Sequence, residues 1–260
     1  MNTLIMRKGK NLIKQDVKVS IITVCYNSET TIEKTIESVI NQTYSNIEYI
    51  IVDGGSTDKT LTIINKYLER YKGRIKCISE RDEGIYDAMN KGIKMATGQL
   101  IGIINSDDYY ELDAVEHIVS AWNGSGMQIL YGLMRKLING KEDSVILLSH
   151  ELLEDRMICH PSCFVTADVY REIGMFDKKY QSVADYDFML RAFRSKEVFF
   201  KPVYKILANF NAGGISGSLT GYIENLKYLR EQGKISSLKL LLLLVYVKMK
   251  GAIFTNIGSR

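Results

Sequence analysis

A chain of 260 residues is long enough for one large domain with its own core, or for one domain with a tail. Its composition, 46% hydrophobic and 25% charged, is that of an ordinary folded protein and excludes a disordered or low-complexity chain. The net charge of +4 is unevenly spread: residues 1–18 carry +4, residues 221–260 carry +5 and the stretch between carries −5. Basic ends on an acidic middle point to contact with an anionic surface such as membrane phospholipid. No interleaved basic and aromatic pattern or recognition motif supports nucleic acid as a partner.

The elements follow in chain order. Lys18–Cys25 is a short β-branched run and predicts the first strand, ending in the turn Tyr26-Asn27-Ser28. Thr30-x-x-Glu33 resembles a capping box for a helix with Ile32, Ile36, Val39 and Ile40 on one face. Glu48–Asp53 is the second strand and ends in an acid. Gly54-Gly55 permits a tight turn, and Ser56 or Thr57 can cap a helix whose inner face is Leu61, Ile64 and Leu68. Ile75–Ser79 is a third strand. Tyr86–Ala96 is a helix, with Ala88, Met89, Gly92, Ile93 and Ala96 inward and Gly98 past its end. Ile101–Asn105 is a fourth, buried strand. It runs into Asp107 and Asp108, which fit either a polar turn capping the next helix or a divalent-cation site on a diphosphate.

Residues 18–108 therefore alternate strand and helix, which predicts a parallel, doubly wound sheet with right-handed crossovers. Asp53, Asp82 and Asp107 all follow strands and should gather at the carboxyl edge, where such sheets bind ligands. Neither GxGxxG nor GxxxxGK[ST] is present, which disfavours a nicotinamide dehydrogenase or a P-loop NTPase.

The second half changes character. Asp113–Trp122 reads as a helix, and Gln128–Leu137 and Val145–Leu148 as strands around the hairpin signal Asn139-Gly140. His160–Val165 reads as a strand and Ala167–Ile173 as a short helix. Ala184–Ala192 opens an amphipathic helix with Phe188, Met189, Ala192 and Phe193 on one face. Val198–Phe200 and Val203–Phe210 follow as strands, then a flexible loop over residues 211–218 and a basic helical tail over 221–260. Leu240–Val247 is apolar throughout but far shorter than the roughly twenty residues that span a bilayer. It fits an interfacial helix with snorkelling lysines, a packed core helix or a dimer contact. The N-terminus has charges but no apolar core or cleavage site, so no signal peptide is expected. Cys25, Cys77, Cys159 and Cys163 form no CxxC pair and read as buried free thiols of a reducing compartment. Cys159, His160 and Cys163 lack a second ligand pair for zinc.

Val19–Asn27, Val52-Asp-Gly-Gly-Ser-Thr-Asp58, Gly84-Ile-Tyr-Asp-Ala-Met-Asn-Lys-Gly-Ile93, Ala96-Thr-Gly98 and Asn105-Ser-Asp-Asp108 together resemble the successive motifs of the family 2 glycosyltransferases of GT-A fold. The form is similar to the bacterial branch that builds surface polysaccharides such as colanic acid, and the resemblance covers residues 18 to about 215. It implies an α/β fold with an open, mostly parallel sheet and a Rossmann-like nucleotide-binding half at 18–108. An acceptor half at 109–215 would follow, between a basic segment at 1–17 and a basic amphipathic helical tail at 216–260.

The resemblance also implies roles. Thr23 and Tyr26 would line the base and ribose pocket, Asp53 would accept from uracil, and Asp82 would lie near base and ribose. Asn90 and Ser106, within the matching motifs, would also contact the nucleotide sugar. Asp107 would be the ligand of the D-x-D motif for Mn²⁺ or Mg²⁺, with Asp108 auxiliary, because Asn105 replaces the motif's first acid. Ala184-Asp185 stands where the family carries Glu-Asp, so Asp185 would be the catalytic base. On the bare sequence Asp185 also fits a helix N-terminal acid favoured by the dipole. Asp187 is the next candidate, and His160 is either an acceptor or phosphate contact or a packed strand residue.

The implied activity is inverting transfer of a sugar from a nucleotide sugar, UDP-linked, to a saccharide or polyprenyl-diphosphate-linked acceptor. The implied place is the cytoplasm, peripheral on the inner face of the cytoplasmic membrane. Two other readings stand beside it. One is a metal-dependent nucleotidyltransferase, which should carry a glycine-rich, Lys/Arg-bearing loop near the first strand that Tyr26–Thr30 lacks. The other is a non-catalytic assembly subunit, suggested by Asn105 and Ala184.

Overall fold

The computed structural model describes residues 17–213 and 218–257. The expected basic N-terminal segment up to residue 16, and residues 214–217 of the expected flexible loop, lie outside the described residues.

The first half is built as its periodicity requires. β1 (Val19–Cys25), β2 (Ile47–Asp53), β3 (Ile75–Ser79) and β4 (Leu100–Asn105) pair in parallel in the order β3-β2-β1-β4. The register sets Cys25 beside Asp53, Asp53 beside Ser79 and Val24 beside Asn105, so the carboxyl ends of all four strands share one edge. The connecting helices are α1 (Ile32–Ile40), α2 (Thr60–Arg70) and α3 (Ile85–Met95). Alternate strand residues feed two cores. Ile22, Val24, Ile50 and Val52 pack against α3 on one face, and Ile21, Tyr49 and Ile51 pack against α1 and α2 on the other.

Two helix caps differ from expectation. Glu33 closes no capping box but accepts from the Tyr67 hydroxyl at 3.2 Å, and Thr31, not Thr30, is the residue before α1. α2 begins later than Ser56 or Thr57 allow, because Ser56 is drawn to Asp53 and Thr57 to Asn27. Asp58 instead accepts from the Thr60 amide at 2.9 Å.

The second half extends the same sheet. β5 (Tyr109–Tyr110) is a short strand with no advance signal, and α4 (Ala114–Ala121) follows it. β6 (Gln128–Ile138) and β7 (Lys141–Ile146) form the hairpin, with Asn139 and Gly140 both at positive φ. His160–Ser162 is a 3-10 turn rather than strand, since Pro161 withholds an amide, and β8 (Cys163–Thr166) starts after it. α5 (Ala167–Ile173) and α6 (Ala184–Ser195) stand as expected. The two strands expected around Pro202 are one, β9 (Phe199–Asn211). Its register against β6 jumps from Val203 opposite Gly132 to Ile206 opposite Leu133, and this bulge breaks the alternation read from sequence. The full order is β3-β2-β1-β4-β8-β6-β9-β5, with β7 on β6.

The expected helical tail is made of two helices. α7 (Leu219–Glu231) packs into the domain through Tyr228, 1% exposed, and α8 (Ser237–Ile257) follows. α8 is not amphipathic in its leucine run. Leu238, Leu241, Leu242 and Val245 are exposed while Leu240, Leu243 and Leu244 are half-buried, because five successive leucines occupy every direction around a helix. No helix among the described residues is long and apolar enough to cross a membrane.

At the amino end of the sheet, Glu48 is a buried carboxylate with a full set of donors. Lys76 Nζ donates at 2.7 Å, the Thr97 amide at 2.8 Å, Ser20 Oγ at 2.7 Å and Lys18 Nζ at 3.3 Å. Burial would raise its pKa, but these donors outweigh burial and hold it down to about 2. A folded pKa below the unfolded value adds stability above about pH 4.5, and that stability is lost as pH falls toward 2. Glu48→Gln should therefore lower the unfolding free energy at pH 7 by about 2–3 kcal/mol, and the deficit should shrink between pH 4.5 and 2 in urea titrations.

Candidate active site

A cleft of about 1000 Å³ opens at the carboxyl edge of β1 and β4. One set of lining residues comes from the loops after β1, β3 and β4: Tyr26 to Ser28, Asp82, Gly84 and Asn105 to Asp107. The other comes from the second half: Asp155 to Pro161, Gln181 to Val183, Asp185, Tyr186, Phe210, and Tyr222 and Asn225 of α7.

The loops of the first set are laced to each other. The Asn27 amide donates to Ser56 Oγ at 2.8 Å, and Asn27 Oδ1 accepts from the Thr57 amide at 2.8 Å. The Ser28 amide donates to Thr60 Oγ1 at 2.7 Å, and the Ser28 and Ser106 hydroxyls share a bond of 2.7 Å. This lacing holds Asn27 at φ +48° and leaves the Tyr26 ring 62% exposed at the cleft, an open aromatic face. Asp82 accepts from the Gly84 amide at 3.0 Å and lies so close to Gly54 that any side chain there would overlap its carboxylate.

Five predicted site residues, Thr23, Asp53, Asn90, Asp108 and Asp187, do not line the cleft. Thr23 lies two residues short of the end of β1, is fully buried and accepts from the Tyr49 hydroxyl at 3.0 Å. Asp53 is also fully buried. Its Oδ2 accepts from the amides of Gly55 and Ser56 at 3.1 and 3.0 Å and from Ser79 Oγ at 2.7 Å, while Oδ1 takes the Ser56 hydroxyl. Those bonds leave Asp53 holding the loop rather than facing a base. Asn90, in mid-helix, clamps Phe176, donating to its carbonyl at 2.8 Å and accepting from its amide at 3.1 Å. Asp187 pairs with Arg191 at 2.8 Å, and that guanidinium also donates to the Ile173 and Met175 carbonyls.

The acids after β4 separate. Asp107 lines the cleft, and burial holds its carboxyl above the usual range. Asp108 lies behind it, 1% exposed, with Oδ1 accepting from the Asn211 amide at 2.8 Å and Oδ2 buried without a partner. Burial, and then the neighbouring Asp107 charge, push its pKa up to about 8. Asn105 lines the cleft, and its Oδ1 is likewise buried without a donor.

Asp185 sits in the first turn of α6 at the cleft. Its Oδ1 accepts from the Tyr86 hydroxyl and the Tyr186 amide, both at 2.9 Å. Burial raises its pKa, opposed by His160 and by those hydrogen bonds. His160 also lines the cleft, 8% exposed, edge-on to Phe176. Burial lowers its pKa, so the imidazole is neutral at pH 7. A raised carboxylate beside a neutral histidine is a site able to accept a proton. Tyr86, Arg156, Gln181, Tyr222 and Asn225 had no assigned role in the sequence. Tyr86 lies inside the family-like stretch Gly84–Ile93, whereas the others come from loops and a helix whose local pattern carries no chemical signal.

The Glycosyl transferase family 2 model matches residues 20–196. A PGL/p-HBAD biosynthesis glycosyltransferase of Mycobacterium bovis is 31% identical over 205 residues, covering 77% of this chain and 79% of that protein. The crystal structure of S. aureus TarS 1-349 in complex with UDP-GlcNAc superposes with a TM-score of 0.65 at 21% identity, covering 82% of this chain and 65% of that one. The mannosyltransferase PcManGT of Pyrobaculum calidifontis, in complex with GDP-Man and Mn²⁺, superposes with a TM-score of 0.62 at 15% identity, covering 89% and 70%. The chain thus spans just under two thirds of the TarS chain, and both superpositions share its GT-A fold. Motif order, sheet topology and this match agree: the chain belongs to glycosyl transferase family 2 and is a glycosyltransferase.

Proposed function

We propose that the chain transfers a sugar, with inversion, from a UDP-sugar to a hydroxyl of a saccharide or polyprenyl-diphosphate-linked acceptor in surface polysaccharide or glycolipid synthesis. The observation that carries this reading is that Asp185, with a raised pKa, shares one cleft with Asp107, Asp82 and the open ring of Tyr26. Tyr26 stacks on the base, and Asp82 accepts from base or ribose. Ser106, fixed by Ser28, flanks the diphosphate, and Arg156 offers it a guanidinium. The UDP-GlcNAc complex of TarS supports a UDP-sugar donor, and the PGL/p-HBAD biosynthesis relative supports a role in glycolipid synthesis.

The residues fit a divalent cation. No three His, Cys, Asp or Glu side chains gather as a cage among the described residues, but a cation carried on a diphosphate needs only one or two protein carboxylates. Asp107 and Asn105 Oδ1 would hold it, with Asp108 behind, and two of these residues bury oxygens that lack donors. Bound Mn²⁺ or Mg²⁺ would offset charge on the departing diphosphate.

Asp185 takes the proton of the acceptor hydroxyl as that oxygen bonds to the anomeric carbon. The bond from that carbon to the β-phosphate oxygen breaks, and UDP leaves with its electron pair. His160, neutral, orients the acceptor.

A screen of UDP-sugars by UDP release with Mn²⁺ tests the activity, and no release from any nucleotide sugar sinks it. Asp185→Asn should lower kcat by about 10²–10⁴-fold with UDP affinity kept. Asp107→Asn should weaken Mn²⁺-dependent UDP binding. Tyr86→Phe removes a donor to the ionised form of Asp185, so its pKa should rise further. Because the ionised base is the active form, the acid limb of the kcat profile should then move to higher pH.

The exposed Leu238, Leu241, Leu242 and Val245, beside Lys239, support membrane-surface contact by α8 on the cytoplasmic face. Deleting residues 236–260 should abolish co-sedimentation with anionic vesicles, and unaltered sedimentation counts against this contact.

A further inference from the structure

The family match ends at residue 196, yet α7, beyond it, lines the cleft with Tyr222 and Asn225. One side chain of α7 ties it to the segment that delivers Asp185. Glu224 Oε1 accepts from the Gln181 amide at 2.8 Å, and its Oε2 accepts from both the amide and the hydroxyl of Ser182, each at 2.6 Å. These residues directly precede Val183, the residue before the first turn of α6, and Asp185 lies in that first turn. A carboxylate that gathers two amides just ahead of a helix fixes where and in which direction the helix starts.

Other contacts hold α7 in place so that Glu224 can do this. The Tyr180 hydroxyl donates to Glu231 at 2.9 Å. The Tyr228 ring packs on Tyr180 and Tyr186, with centroids 5.4 Å away in each case. Arg194 of α6 donates to Gln232 just past α7 and pairs with Glu154, which also takes Lys234. Segments 153–156, 180–195 and 224–234 thus form one braced unit around the base.

Resting on the reading of Asp185 as base, we propose that Glu224 is its positioning residue and that α7 is a working part of the transfer site. Glu224 touches no reacting atom. It acts by holding Gln181 and Ser182, and through them the first turn of α6. Proton transfer requires the base within hydrogen-bond reach of the acceptor hydroxyl while that oxygen lies in line with the anomeric carbon and the leaving oxygen, and a displacement on the order of 1 Å costs about 10²-fold.

The test uses the full chain with four forms: wild type, Glu224→Ala, Asp185→Asn and the double variant. Transfer is read as UDP release, UDP affinity by calorimetry, and amide exchange on peptides covering residues 179–186. Glu224→Ala should lower kcat about 10–100-fold, change UDP affinity less than about twofold, and speed exchange at 179–186. In the Asp185→Asn background the same change should cost almost nothing further in kcat, since the group it positions is gone. Glu224→Gln, which keeps the volume and one acceptor oxygen, should fall between wild type and Glu224→Ala. Full additivity in the double variant, a parallel fall in UDP affinity, or unchanged exchange at 179–186 each overturns the proposal. A wild-type chain that transfers no sugar overturns the functional reading instead, and an active wild type with unaffected Glu224→Ala overturns this inference alone.

Discussion

The side of the cleft built by the first half of the chain hangs on one buried carboxylate. Asp53 closes β2 with no exposure to solvent and satisfies its charge with the amides of Gly55 and Ser56 and the hydroxyls of Ser56 and Ser79. A buried carboxylate without such donors would be costly, so loop 54–56 is compelled to wrap it. The wrapped loop presents Ser56 and Thr57 to Asn27, and Asp58 takes the Glu29 amide at 3.0 Å, which sets the loop that exposes Tyr26. Ser28 then reaches Ser106, next to Asp107. A chain of local hydrogen bonds thus carries order from the core of the sheet to the rim where the nucleotide sugar is proposed to lie.

The other side is built differently. No single motif makes it: a loop at 155–161, the start of α6, the end of β9 and α7 converge from distant parts of the chain. Burial and aromatic packing do the converging, with Phe176 against Tyr86, His160, Tyr170 and Phe188, and Tyr228 against Tyr180 and Tyr186. The Tyr86 hydroxyl on Asp185 stitches the two sides together across the cleft, joining the first turn of α3 to the first turn of α6. With Asn105 and Ala184 where the family pattern has acids, Asp107 and Asp185 both still line the cleft.

Much of this was legible in the residues. The alternation of apolar strands with helical faces over 18–108 specified a parallel order, because a strand buried on both faces and a helix buried on one leave different periodicities. The hairpin at Asn139-Gly140 was legible for the same local reason, since positive φ at both residues favours Asn and Gly. Asp107, Asp82, Tyr26, Ser106, His160 and Asp185 line the cleft. Thr23, Asp53, Asn90, Asp108 and Asp187 do not line it, because a motif marks a stretch of backbone and does not say which side chains within it turn inward to hold that stretch in place.

The sequence by itself determined the alternating strands and helices of residues 18–108, their shared carboxyl edge and the family, all of which rest on near-neighbour patterning and on motifs a few residues long. Only the tertiary structure decided which acids are held inside as scaffold and which face the cleft, that residues 199–211 form one bulged strand, and that α7 lines the cleft with Tyr222 and Asn225 while Glu224 holds Gln181 and Ser182. The reason is physical. Burial and hydrogen-bond partners come from residues as far apart as Tyr86 and Asp185, or Ser182 and Glu224, and separations of that kind leave no periodicity for a sequence to display.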